Sequence, residues 1–126
     1  YLEASEYEKA QQTFKDALLV AKSDAEDVME IVIMGRLGVA FAEQDAIDQA
    51  IGLHLQASNL AEIRGLSMLQ AEQFMMLAFA YNEQEDSHRA ITYCKQALQI
   101  YSTNGVEAGV MQATRLLADI TQAKKS

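Results

Sequence analysis

Apolar residues along the chain recur at intervals of three and four, and no stretch shows convincing alternation with a period of two. That pattern predicts helices throughout and no sheet. Phe74, Leu77, Ala78 and Tyr81 share one face of a helix, and Ala90, Cys94, Ala97 and Leu98 share one face of the next. One step earlier, Met34, Leu37, Gly38 and Phe41 precede Ala50, His54 and Ala57 in the same arrangement. Small residues at such positions let two helix backbones approach, while the large neighbours fill the groove between them.

Capping chemistry sets the expected helix boundaries. Ser5 to Glu8 and Ser23 to Glu26 read as S-x-x-E capping boxes, with Asn104 to Glu107 a weaker version of the same device. Asp45, and Asp86 or Ser87, are placed to cap the helices that follow them. Gly65 and Gly105 mark chain reversals. The spacing predicts six helices, over Glu6–Ala21, Ala25–Glu43, Ala46–Ala61, Gly65–Asn82, Ser87–Tyr101 and Val106–Ala123.

A shift of 40 residues superimposes the chain on itself without a gap. Ala10, Ala50 and Ala90 coincide, as do Ala17, Ala57 and Ala97, and Leu37, Leu77 and Leu117. The turns repeat as well: Glu43-Gln44-Asp45 returns as Glu83-Gln84-Glu85. A fixed period of this size marks stacked helical hairpins, each too small to bury its own apolar face. No Pro-, Gly- or Ser-rich linker interrupts the pattern, so residues 1–126 read as one domain. Its parts are a half repeat (5–22), two full repeats (24–62 and 64–102) and a second half repeat (104–124).

At these residues the pattern resembles the tetratricopeptide repeat, with its W-x2-L-G-x2-Y first helix and A-x3-F-x2-A second helix. The motif stands here as Met34-x2-Leu37-Gly38-x2-Phe41 with Ala50-x3-His54-x2-Ala57, and again as Phe74-x2-Leu77-Ala78-x2-Tyr81 with Ala90-x3-Cys94-x2-Ala97. Ala10-x3-Phe14-x2-Ala17 supplies a second half alone, and Thr114-x2-Leu117-Ala118-x2-Thr121 a degenerate first half. The period departs from the family's usual 34 residues, and the terminal proline is missing. A period of 40 looks like the longer-helix variety found in kinesin light chains and bacterial peptide-sensing regulators. It also falls in the HEAT range of about 40–47, but the motif spacings favour the tetratricopeptide likeness. The resemblance implies an all-α fold, a right-handed superhelical stack of antiparallel helix pairs.

It also implies a concave groove lined by the first helix of each pair. The matching positions are Val32, Gly35, Val39 and Ala42; then Glu72, Met75, Phe79 and Asn82; then Gln112, Arg115, Asp119 and Gln122. Two of these faces are largely apolar and the third is polar, which suits an amphipathic helix or extended peptide laid across the helices. The competing reading is that neighbouring helices or long side chains cover the same positions. A clamp for a C-terminal dicarboxylate, known in some members, is not implied: its positions carry Gly35, Val39 and Met76 with no lysine, and Arg36 and Arg115 are the only basic candidates.

Composition narrows the function. The net charge of −8 is a poor match for nucleic acid or an anionic membrane surface. No apolar run approaches the roughly 20 residues of a membrane span. Tyr1–Ala10 carries neither a cationic nor an apolar signal region, so a cytoplasmic location is expected; the start at Tyr1 suggests a processed or trimmed chain. A single cysteine excludes an internal disulfide and a thiolate metal cluster. His54 reads as a packed core histidine, His88 as solvated and Cys94 as a small buried hydrophobe. The acidic turns lack the converging ligands of a calcium loop and read as caps and solubilising charge. Arg89 and Lys95, with Asp86, are placed for helix-face ion pairs.

No phosphate loop, metalloprotease motif or nucleophile–base set is present, so no catalytic residue, metal or cofactor is expected. The expectation is a noncatalytic interaction module or scaffold that binds a protein or peptide partner, within a larger regulatory protein. The alternative is self-assembly. The first helix presents Tyr7, Phe14 and Leu18 on a face that a missing partner helix would cover, so the chain is either part of a longer array or a homodimer.

Overall fold

The computed structural model describes residues 24–125 together with Gln11. Five helices follow one another: α1 (Asp24–Glu43), α2 (Ile47–Ile63), α3 (Ser67–Glu83), α4 (Ser87–Thr103) and α5 (Glu107–Lys125). No strand occurs among the described residues. Each helix packs on the next in the chain, and α1 also touches α3, which is the arrangement of an α-solenoid-like stack of helical hairpins. Apart from Gln11, the predicted helix over Glu6–Ala21, with Tyr7, Phe14 and Leu18, lies outside the described residues.

All four turns share one geometry. The residues with positive φ are Asp45 (64°), Gly65 (70°), Glu85 (61°) and Gly105 (67°), which fall at intervals of 20 residues. Each occupies the left-handed position just past a helix, where a Schellman motif returns two N–H groups to the last turn. At the end of α1, Asp45 N–H donates to Ala42 O at 3.0 Å and Ala46 N–H to Phe41 O at 2.8 Å. The Gly65, Glu85 and Gly105 turns repeat both bonds, with the second from Leu66 to Ala61, Asp86 to Tyr81 and Val106 to Tyr101. Orphan carbonyls at each helix end are thereby satisfied without any long connection.

This geometry corrects two expectations. Asp45 does not cap the following helix; it closes α1, and Ala46 precedes α2 with no side-chain cap. Asn104 likewise belongs to the end of α4, where its Nδ2 donates to Ile100 O at 2.8 Å. Asp86 does cap as expected, accepting from Arg89 N–H at 3.2 Å and from its guanidinium at 3.0 Å. Because the turns take residues 44–46 and 64–66, α2 starts at Ile47 and α3 at Ser67, later than predicted.

The helices meet through small residues. Ala50, Ala57, Ala71, Ala78, Ala90, Ala97 and Ala113 have no exposed surface. Met75, Cys94, Tyr101, Leu116 and Ile120 pack around the last of these in the main core. Leu77, also fully buried, joins Ile51 and Ala80 in a second cluster between α2 and α3. Burying such a side chain stabilises by about 1.5–3 kcal/mol. Tyr93 lies between Phe74 and Tyr81, with ring centroids 5.5 and 5.7 Å away. On α5 the buried stripe is Ala113, Leu116 and Ile120, while Thr114 is exposed and Leu117 half-buried. The inward face is thus rotated from the one the repeat alignment predicts.

One further contact fixes the start of α1. Asp27, nearly buried, receives Arg64 Nε at 2.7 Å from the α2–α3 turn. Burial, reinforced by Asp27 and opposed by Arg64, raises the carboxyl pKa of Glu30 nearby.

Two substitutions at the turns and one at a helix contact test this geometry. A left-handed backbone costs a side-chain-bearing residue about 1–2 kcal/mol. Gly105→Ala should therefore lower the free energy of unfolding by about 1 kcal/mol, and Glu85→Gly should raise it by less than that, in urea denaturation. Gly109→Ala places a Cβ 2.4 Å from the Tyr101 ring and should cost about 1–3 kcal/mol. An unchanged midpoint for both Gly105→Ala and Glu85→Gly would contradict the assigned turns.

Candidate functional site

The first helices of the hairpins, α1, α3 and α5, share a recessed face. It contains two cavities that meet at Val39 and Met76, residues common to both walls. The larger, about 700 Å³, is bounded by Val32, Arg36, Leu69 and Glu72, and reaches Tyr101 of α4 and Gln112 of α5. The smaller, about 360 Å³, lies at the α1–α2 turn, between Ala42, Ile47, Phe79 and the carboxylates Glu43, Asp45 and Glu83. Apolar lining with a few polar groups is the usual makeup of a binding recess.

The expected groove residues divide in three. Val32, Gly35, Val39, Glu72, Met75 and Gln112 border the larger cavity, and Ala42 and Phe79 border the smaller. Asn82, Arg115, Asp119 and Gln122 are exposed but stand outside both walls. Val39 and Phe79 are 38% and 40% exposed, enough for direct contact with an occupant. Met75 is 1% exposed and belongs to the main core, so it supports the floor without offering surface. Gly35 is buried for a different reason: a Cβ there would lie 2.7 Å from Gln73 Nε2.

That glutamine reveals a feature the repeat pattern does not show. Gln73, 5% exposed, accepts at Oε1 from His54 Nδ1 at 2.8 Å. An amide oxygen only accepts, so Nδ1 carries the imidazole proton and Nε2 carries a lone pair. Nε2 has no hydrogen-bond partner among the described residues, and His54 forms part of the wall of the smaller cavity. Gly38 makes room for the ring; a Cβ at that position would lie 2.7 Å from Cε1 and Nε2. Burial pushes the imidazole pKa below the usual 6.5, and the bond to Gln73 partly opposes that shift. Gly35 and Gly38 thus seat a buried polar pair beneath the recess, with Gln73 facing the larger cavity and His54 the smaller.

The remaining sequence candidates are plainly placed. Cys94 is fully buried, its Sγ 3.1 Å from Ala113 O, and burial raises its pKa, which leaves the thiol unreactive. His88 is exposed. Arg89 pairs with Asp86 and sits 5.7 Å from the centre of the Tyr81 ring, so it is committed to the outer surface. Among the described residues, no group of three or more His, Cys, Asp or Glu side chains is arranged to hold a metal. Within that same range, no helix is long and apolar enough to cross a membrane.

The His54–Gln73 pair gives stability a defined pH dependence. With the folded pKa depressed, the unfolded chain binds the proton first as pH falls. Its contribution is full above about pH 6.5 and is lost progressively as pH drops from there toward the folded pKa. Urea titrations from pH 7.5 to 5 should show this loss, and His54→Phe should remove that component. Gly38→Ala should cost about 1–3 kcal/mol by crowding the ring.

No protein-family model matches the chain, and no curated protein aligns with it significantly.

Proposed function

We propose that this chain is a tetratricopeptide-like, noncatalytic interaction module that holds a segment of a protein partner along α1, α3 and α5. The observation that carries this reading is the continuous recess over those helices, with Val39 and Phe79 left more than a third exposed beside two open cavities. An isolated exposed apolar residue has no special meaning, but two side by side on a concave apolar surface mark a contact site. The recess is wide enough to take side chains of a helix or an extended peptide, and its floor is fixed by core packing. The same reading makes the chain a scaffold or sensor segment of a larger regulator, working in the cytoplasm without a cofactor.

Capture of partner proteins on the immobilised chain tests this. Phe79→Ala with Val39→Ser should weaken capture by about tenfold or more, as expected for central apolar anchors. Circular dichroism should show helicity unchanged. Ile63→Ala removes an apolar side chain that is 74% exposed but lies away from the recess, and should leave capture intact. Equal loss in both variants, or in neither, would remove the groove from the account.

A further inference from the structure

The smaller cavity has a one-sided chemistry. Its polar groups are Glu43, Asp45 and Glu83 at the rim and His54 in the wall, and no lysine or arginine borders it among the described residues. Three are anions, and the fourth is the imidazole of His54, 2% exposed and bonded to Gln73. Asp45 and Glu83 form no ion pair among the described residues. The apolar wall between these groups contains Val39, Met76 and the half-open ring of Phe79. Among the described residues the charged groups at this cavity are all carboxylates. A complementary group has an aliphatic or planar stem to lie on Phe79 and a cationic, donor-rich head to reach the carboxylates.

Resting on the groove reading, we infer that the occupant of this cavity is a lysine or arginine side chain carried by an amphipathic segment of the partner. Its head lies at Asp45 and Glu83. The segment also has a direction. Arg36 lies seven residues before Glu43 on α1, about 10 Å along the axis, and has no ion pair among the described residues. The basic end of the segment therefore sits at the α1–α2 turn, and its apolar side chains run back over Met76 and Val32 toward Arg36. The acidic character of the whole chain, with a net charge of −8, adds long-range attraction for such a segment.

Three fluorescein-labelled helical peptides of about 16 residues, long enough to cross the three first helices, test the assignment. They share one apolar stripe and differ only in carrying Lys, Gln or Glu at the flanking positions. Fluorescence anisotropy with the full chain should rank them Lys, Gln, Glu, with the Lys peptide about tenfold tighter than the Gln peptide. Raising salt from about 0.05 to 0.5 M should shrink that advantage. The double variant D45N/E83Q should abolish it, since Asn tolerates the left-handed backbone at position 45 and the turn is retained. Equal affinities for all three peptides would overturn the cationic occupant and leave the groove reading standing. No binding by any of them would remove both. A dimer in light scattering that must dissociate before the Lys peptide binds would make the occupant a second copy, and would also overturn the proposal.

Discussion

The structure depends on the close approach of helix backbones at alanines with no exposed surface. Ala50 and Ala57 in α2, and Ala90 and Ala97 in α4, each meet a neighbouring helix through a methyl group alone. At that distance the volume left for facing side chains is narrow, so the residues on the two sides must compensate. The two hairpins do so differently. Around Ala78 and Cys94 both partners are small and share one core cluster. At the equivalent places in the preceding hairpin the partners are Gly38 and His54, where the loss of a Cβ on one helix seats a full imidazole on the other. One exchange of volume thus puts a titratable ring beneath the recess without changing the stack.

The polar pair that results is costly unless it is satisfied, because a buried donor or acceptor left unpaired loses about 1–3 kcal/mol. Gln73 answers one side of the imidazole, and the other lies against Gly38 at the edge of the smaller cavity. The floor is therefore held by core packing together with this buried pair. Around it, the acidic turns serve two purposes. Asp45 and Glu85 end helices through their backbone conformation, and their carboxylates are set on the surface by the same turns. The charge at the mouth of the cavity follows from turn geometry rather than from a separate loop.

Much of this was legible in the chain. The repeat of 40 residues located the helix pairs, and the alanine columns at 50, 57, 90 and 97 named the buried contacts. Positions 32, 35, 39, 72, 75, 79 and 112 were brought to the recess by their spacing on the first helices. Asp45 and Asn104 end the preceding helix instead of capping the next; an acidic or amide residue before a helix resembles an N-cap, and only the backbone conformation separates the two roles. Gln73 was missed because the repeat gives no polar equivalent: isoleucine and alanine stand at positions 33 and 113. On α5 the repeat motif is degenerate, and Leu116 is buried where the motif alignment points to Leu117. Asp27 and Arg64 lie too far apart in sequence for any local pattern to pair them.

The central claim is that the face of α1 and α3 is an open apolar trough over a closed floor. Solvent paramagnetic relaxation on the isotope-labelled full chain, with a soluble gadolinium chelate, tests it residue by residue. The account predicts strong relaxation of the Val39 methyls and the Phe79 ring, and protection of the Met75 methyl and the His54 ring beneath them. Protection of Val39 and Phe79 as complete as that of Met75 would mean that the trough is already covered, and would contradict the account.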